Sequence, residues 1–424
     1  MSAFDKIAGY DALKKEIEEI CFLLKEGHIC KDKGIRLPKG IFLYGPPGIG
    51  KTLFAECFAK ESGMPYFFCR KESAQSDFIK RIVEVFEKAE NVAPSIVILD
   101  DLDKFANEDD NHINAEEYVV IQSCIDKVKE KQVFVFATAN KTNLIPDSLF
   151  RAGRFDRVLK VKTPEGGDTK KLLTYYLGKK KTENVSLDSF SKLLCGRSCA
   201  EIEEIVNDAA IYAFRSGRDV ISREDMIRAC VRSVYRSPKT IIDEVLEGGD
   251  FDETVAYHEA GHVVVAEVLE PCSVTMVSLG GYEGSIQGFT AHYENPNYWK
   301  NAELMENDLC ILLAGKCAIE LTYGTMDPLC ASDLHNASDI ARYFVSEYAS
   351  KGFQSYNCGY AGSSEQKMIM EREVNGIMEN AYEKVKKILV QNRAFLSALA
   401  SELLEKKLLL EEDVQELKRR IQRG

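Results

Sequence analysis

The stretch GIFLYGPPGIGKTLFAECFAKESG, residues 40–63, constrains this chain more than any other. GIFLY has the length and apolar content of a buried strand, and LFAECFAKES reads as a helix. Between them, Gly45-Pro46-Pro47-Gly48-Ile49-Gly50-Lys51-Thr52 fits the pattern G-x-x-x-x-G-K-[ST], with Leu53 opening the helix. In that order a strand, a glycine-rich turn and a helix form a phosphate cradle. Backbone N–H groups turn inward around phosphate oxygens, Lys51 supplies charge to the β- and γ-phosphates, and Thr52 offers its hydroxyl to Mg²⁺. The bland alternative, a plain glycine turn, explains neither flank.

Two further apolar runs, SIVILDD (95–101) and QVFVFATAN (132–140), read as buried strands of a parallel sheet, so residues 1–163 form an α/β layer domain. Asp100 ends the first run, where it would hold Mg²⁺, with Asp101 polarising the attacking water and Asn140 orienting it. LFRAGRFDR (149–157) groups Arg151, Arg154 and Arg157. It is either a solvated basic turn or a source of arginine fingers for a neighbouring subunit's γ-phosphate, which would make the ATPase an oligomer.

At 424 residues the chain is too long for one ordinary core. Residues 164–236 look helical throughout. Residues 237–250, with Pro238, Gly248 and Gly249, read as a linker, and 251–424 as a second, mainly helical domain with two or three strands within 272–293. The 55 Lys+Arg against 67 Asp+Glu leave a net charge of −12, which argues against general affinity for nucleic acid or anionic lipid. Thirteen cysteines are scattered without a C-x-x-C pair, as expected of reduced core thiols in a cytoplasmic setting. No leader is visible, and no apolar run approaches the ~20 residues of a membrane span.

The second chemical signature is FDETVAYHEAGHVVVAEVL (251–269), which contains H-E-x-x-H. The i, i+4 spacing puts His258 and His262 on one helix face, one turn apart, so both imidazoles can reach one Zn²⁺. Glu259 can then act as general base on a water that the metal acidifies. Asp252 is the expected N-cap. A catalytic zinc needs a third protein ligand and an open position. Spacing leaves Asp327, Asp333, His335, Asp339 and His292 all open for that role.

FDKIAGYDALKKEI (4–17), LPKGIFLYGPPGIGKT (37–52), IVILDD and ATAN…LFRAGRFDR resemble the ATPase domain of AAA+ proteins, specifically the FtsH type of AAA+ zinc metalloprotease. The resemblance implies a homohexameric ring and an adenine resting against Ile7-Ala8-Gly9. It also implies a helical lid whose second half begins at RSCAEIEEIV, with Cys199 and Ala200 at the nucleotide. ASDLHNASDIAR (331–342) resembles the family's segment in which an Asp completes the zinc site, which selects Asp333, with His335 as runner-up. GSIQGFTAHY (284–293) resembles the family's edge strand, to which an extended peptide adds as a further strand.

Three departures stand out. The family's transmembrane helices are missing ahead of Phe4, so the chain looks like an untethered or trimmed member. Asp101 stands where the family has Glu, and the shorter side chain predicts slow ATP hydrolysis with binding intact. The region 69–86 lacks the family's aromatic-hydrophobic-glycine pore tripeptide, and Phe78, Ile82, Val85 and Phe86 read instead as a core stripe. The expected activity is ATP-dependent zinc endoproteolysis of unfolded or damaged polypeptide, a protein quality-control role. The rivals are a remodelling ATPase with an idle peptidase half, and an ATP-binding ring that cuts unfolded peptides without ATP.

Overall fold

The computed structural model describes residues 2–71, 78–105, 115–234, 245, 252–280, 288–293, 301–326, 329–348, 350 and 364–423. The chain divides into two compact units, Met1–Lys180 with Leu194–Val206, and Lys181–Leu193 with Asn207–Gly424. Most of the linker expected at 237–250, and Asp327, lie outside the described residues.

In the first unit, strands β1 (Gly40–Tyr44), β2 (Tyr66–Cys69), β3 (Ser95–Leu99), β4 (Val133–Ala139) and β5 (Arg157–Lys160) form one parallel sheet in the order β2-β3-β4-β1-β5. The three central strands are apolar and almost wholly buried, as a sheet covered on both faces requires. β2 and β5 were not expected from sequence. They are the edge strands and only partly buried: β5 (Arg-Val-Leu-Lys) is interrupted by charge, and the apolar run of β2 (Tyr-Phe-Phe-Cys) is only four residues long. Helices α1 (Asp11–Lys25), α2 (Gly27–Asp32), α3 (Lys51–Ser62), α4 (Phe78–Asn91), α5 (Ala115–Val128) and α6 (Gly167–Leu177) complete the layers. On α4 the residues Phe78, Ile82, Val85 and Phe86 are all buried, the core stripe their spacing predicts.

Register decides where the chemistry sits. Tyr44 pairs with Ala139, and Leu99 with Ala137. Gly45, Asp100 and Asn140 therefore leave three adjacent strands at the same end of the sheet, where the strand order reverses and α/β ligands bind.

The second unit opens with a short parallel pair, β6 (Lys181–Glu183) and β7 (Val220–Ser222), beside α7 (Leu187–Leu193) and α9 (Arg223–Val234). Helix α8 (Cys199–Arg215) belongs to both units. The sequence predicts only helix across this region, because strands of three residues are too short to show a period. The remaining helices are α10 (Glu253–Leu269), α11 (Ala302–Tyr323), α12 (Ala331–Ser346), α13 (Ser364–Gln391), α14 (Arg393–Lys406) and α15 (Glu411–Arg423). Asp252 caps α10, its side chain accepting from the Thr254 N–H at 2.8 Å. From Ala256 to Glu267 nearly every residue of α10 is buried, so it is the central helix of this unit, packed chiefly against α11 and α14. An antiparallel sheet in the order β10-β8-β9 lies beside it, from β8 (Val274–Ser278), β9 (Phe289–His292) and β10 (Leu408–Leu410). Among the described residues no disulfide forms, and all described cysteines except Cys195 and Cys272 are buried.

Candidate active site

His258 and His262 face the same side of α10, and the first turn of α12 brings Asp333 to them. The two Nε2 atoms are 3.1 Å apart, and Asp333 Oδ2 lies 3.2 Å from His258 Nε2 and 3.4 Å from His262 Nε2. The Nδ1–H of His262 donates to the Ile311 carbonyl at 2.7 Å, which leaves Nε2 as an acceptor pointing into the cluster. Three metal-ligating atoms from three side chains converge at distances at which one cation can bind all of them. The spacing fits zinc, because ligand bonds of ~2.0–2.1 Å in a tetrahedron separate the ligand atoms by about 3.3 Å. Burial opposes ionisation of Asp333, but the two imidazoles hold its carboxyl well below the usual carboxylate range.

Among the other candidates for third ligand, His335 and Asp339 are exposed and face each other, Nε2 to Oδ2 at 3.7 Å. Two residues along a helix turn a side chain by about 200°, so Asp333 and His335 cannot serve the same site. His292 is exposed at the end of β9.

Glu259 is 4% exposed. Its Oε2 accepts the Thr290 hydroxyl at 2.7 Å, and Oε1 has no hydrogen bond among the described residues. Burial pushes its carboxyl pKa up, against the pull of the two imidazoles and of Thr290. Two glycines shape the cavity. A Cβ on Gly315 of α11 would lie 2.5 Å from His258 Nδ1 and 2.7 Å from Nε2, and one on Gly288 would lie 2.7 Å from Glu259 Cγ.

The first unit gathers the phosphate-loop residues. Gly48 and Gly50 take left-handed φ of 76° and 87°, which lets the loop curl before α3 begins at Lys51. Lys51 is buried, and its ammonium donates to the carbonyls of Gly45 (2.8 Å) and Pro46 (2.7 Å) and to Asn140 Oδ1 (2.9 Å). Burial pushes its pKa down, against Asp101, Asp103 and Asp100. Thr52 and Thr138 both donate to Asp100 Oδ1, at 2.8 Å and 2.7 Å. Asp100 Oδ2 is buried without a hydrogen bond among the described residues, 3.6 Å from Arg70. An orphaned carboxylate oxygen beside a threonine hydroxyl suits a hard, oxygen-loving cation such as Mg²⁺.

Asp101 sits at a left-handed φ of 56° and is held on several sides. Its Oδ2 meets Lys104 at 2.7 Å and Arg70 at 3.5 Å, and its Oδ1 meets the Asn140 amide at 3.5 Å. Ala8 and Gly9 lead into Tyr10, whose N–H bonds Asp168 at 3.0 Å and whose hydroxyl bonds the Lys162 carbonyl at 3.1 Å, 3.5 Å from Cys199 Sγ. The Ala200 N–H donates to the Gly48 carbonyl at 3.0 Å, so the start of α8 closes over the loop, which keeps Pro46 and Pro47 exposed and Ile49 buried. The arginines separate. Arg154 clamps Asp126 with two bonds, 3.0 Å and 2.7 Å, and donates to the Ser148 carbonyl, whereas Arg151 is exposed and pairs with no carboxylate among the described residues.

Sequence reasoning missed Arg70, Lys104 and Thr138 at the nucleotide end, and Thr290, Gly288, Gly315 and Ile311 at the metal end. For most of these the only signal is a long-range contact. Thr138, Gly288 and Thr290 do lie inside the stretches ATAN and GSIQGFTAHY, but nothing local marks them out from their neighbours there.

Comparison with known proteins follows the same division. Residues 41–163 match the ATPase family associated with various cellular activities (AAA), residues 184–227 the AAA+ lid domain, and residues 250–417 peptidase family M41. The chain is 30% identical over 441 residues to the ATP-dependent zinc metalloprotease FtsH of Ruminiclostridium cellulolyticum, covering 95% of this chain and 69% of that protein. It is 29% identical to the namesake proteins of Caldicellulosiruptor bescii (98% and 71%) and Thermus thermophilus (97% and 70%). Among the described residues no helix is long and apolar enough to cross a membrane. With its parallel-sheet ATPase unit, its lid and its mainly helical H-E-x-x-H unit, the chain belongs to the FtsH family of ATP-dependent zinc metalloproteases.

Proposed function

We propose that this chain is an ATP-dependent zinc endopeptidase that degrades unfolded or damaged polypeptide. The observation that carries the reading is the convergence of His258, His262 and Asp333 beside the buried Glu259, in a chain that also holds a complete phosphate loop. His258, His262 and Asp333 hold the metal. Zinc, when bound, supplies Lewis acidity toward a water and the scissile carbonyl. Glu259 takes the proton from the attacking water and returns it to the departing amine nitrogen, and Oε1, without a hydrogen bond among the described residues, is the oxygen suited to that transfer. The edge strand β9 offers main-chain pairing to an extended peptide, which tolerates many sequences.

In the ATPase half, Gly45 to Leu53 cradle the phosphates and Lys51 faces the β- and γ-groups. Thr52 and Asp100 hold Mg²⁺, Asp101 and Asn140 address the attacking water, and Ala8, Gly9, Cys199 and Ala200 border the base. Arg151 reaches a neighbouring subunit's γ-phosphate, and Arg154 acts from its clamp on Asp126. The assembly is a homohexamer working in the cytoplasm, divided as ATPase 1–163, lid 164–236, linker 237–250 and peptidase 251–424. The family matches at 41–163, 184–227 and 250–417 support that division.

The test compares degradation of a folded and an unfolded substrate, with and without ATP, alongside a chelator and Glu259→Gln. ATP-stimulated cutting that both treatments abolish is expected; chelator-resistant cutting overturns the metal site. One observation favours a second reading, a ring with slow turnover that cuts unfolded peptides without ATP. Asp101 is short and already engaged by Lys104 and Arg70. Under that reading Asp101→Glu hydrolyses ATP at least several-fold faster than the wild type, and an equal rate rules it out.

A further inference from the structure

We propose that Thr290, with Gly288 beside it, is a positioning residue that fixes the Glu259 carboxylate from the edge strand, so that the strand receiving substrate also aligns the base. The inference rests on the peptidase reading above and adds a role that none of the motifs contains.

A carboxylate on a buried helix is expensive unless its oxygens are hydrogen-bonded. Glu259 is 4% exposed, and the Thr290 hydroxyl, at 2.7 Å from Oε2, is the only side chain among the described residues that donates to it. The same hydroxyl lies 3.5 Å from the Glu259 main-chain carbonyl, so it spans both ends of the residue. Glutamate has three side-chain torsions, and a single bond to Oε2 commits Oε1 to the opposite side. Gly288 explains how the strand comes so close. A Cβ there would stand 2.7 Å from Glu259 Cγ, 2.8 Å from Oε1 and 2.9 Å from the Ser278 carbonyl, all inside ordinary contact. Residues 288 and 290 are two apart, so on an extended strand they share the face turned toward α10.

Thr290 pairs in register with Val277 of β8, and β9 is the outer strand of its sheet. A peptide adding to that edge stiffens β9 and, through the Thr290 hydroxyl, the orientation of Glu259. The hydrogen bonds of the Thr290 hydroxyl among the described residues go to Glu259 and to none of His258, His262 and Asp333, so its loss is felt in turnover and not in metal binding.

Thr290→Val keeps the shape and deletes the hydroxyl. Its kcat is expected to fall about 10- to 100-fold, the scale for a catalytic group displaced by ~1 Å. KM, the affinity for zinc measured by chelator competition, and the melting temperature of the full chain all stay near wild type. Thr290→Ser, which restores the donor, is expected within about threefold of wild type. Thr290→Ala serves as a second hydroxyl-free variant if Val disturbs the fold, and it must reproduce the loss. The proposal is overturned if the hydroxyl-free variants keep wild-type kcat, if Ser is no better than Val, or if zinc affinity falls along with turnover, which would mark a merely structural contact. Failure of the parent reading looks different: the wild type itself would then lack chelator-sensitive cutting, or Glu259→Gln would retain it.

Discussion

Gly315→Ala puts the metal-site geometry to a direct test. Gly315 lies in α11, where the His258 ring covers it, and an added Cβ would stand 2.5 Å from Nδ1. Ordinary contact begins near 3.4 Å, and Cε1 stands closer still than Nδ1, so the ring must withdraw by about 1 Å. The ring is 5% exposed and packed on every side, so it cannot step aside freely. Zinc–nitrogen bonds tolerate ~0.2 Å around their mean length, several-fold less than that displacement. We expect zinc affinity to drop at least 10- to 100-fold, the range seen when ligand-orienting contacts are lost. The metal-free protein should lose about 1–3 kcal/mol to overpacking. Competition with a chromogenic chelator reads the first effect, and thermal melts of chelated protein read the second. Gly376→Ala on α13 is the control. Its Cβ would meet nothing within 4 Å, and alanine there should stabilise the helix by up to ~1 kcal/mol. If Gly315→Ala binds zinc within twofold of wild type, the stated placement of His258 is wrong.

Three other outcomes follow from named contacts. Glu267 is 1% exposed and held by Lys418 at 2.8 Å, so Lys418→Met should destabilise by about 3–5 kcal/mol in urea unfolding, with most of it recovered in Glu267→Leu/Lys418→Met; a loss under ~1 kcal/mol counts against a desolvated pair. Arg151→Ala should lower ATP turnover by about 10³-fold or more with an unchanged melting temperature, whereas Arg154→Ala should lower both, since it also frees Asp126 and the Ser148 carbonyl; equal melting of the two variants contradicts the clamp. Burial works against Asp225, but Arg218 and the Ser222 N–H and hydroxyl hold its carboxyl below the usual carboxylate range. Because the folded-state pKa is depressed, this contribution is complete above the unfolded value of ~3.9 and is lost as pH falls through the folded one. The stability gap between wild type and Asp225→Asn should therefore narrow on acidification below about pH 4, and a gap that widens refutes the pairing.

What was legible in the sequence is what local pattern encodes. The phosphate loop needs its strand, turn and helix to be contiguous, and the H-E-x-x-H pair needs only one turn of helix, so both could be read residue by residue. Asp333 required more: spacing admitted five candidates, resemblance chose one, and geometry explains the choice, because α12 turns His335 away to Asp339. β10 was hidden for a different reason. Leu408–Leu410 sits between two helices, and the break before it is made by Lys407 in a left-handed conformation, φ 64°, where no glycine announces it. β5 lacked an apolar run because a sheet edge is partly exposed, and β2, four residues long, was too short for its run to stand out. Thr290, Gly288 and Arg70 act across contacts distant in sequence, and no local period records such pairings.

The metal-site helix shows why these long-range residues matter. α10 is buried around its whole circumference, so its three catalytic polar groups cannot rely on water and must be satisfied by whatever packs against them. The two imidazoles are met by one helix, and the carboxylates Asp333 and Glu259 involve two other elements. His262 is oriented by the Ile311 carbonyl of α11, His258 is seated on Gly315 of the same helix, Asp333 arrives from α12, and Glu259 is held by Thr290 of β9. The ligands thus depend on helices that belong to the hydrophobic core, and the base depends on a strand at the sheet edge. That separation has a consequence a list of motif residues lacks. Changes on α11 should remove metal and turnover together, whereas changes on β9 should leave the metal in place and remove turnover alone. If peptides pair along β9 as proposed, that strand can shift as they come and go without loosening the site's grip on zinc.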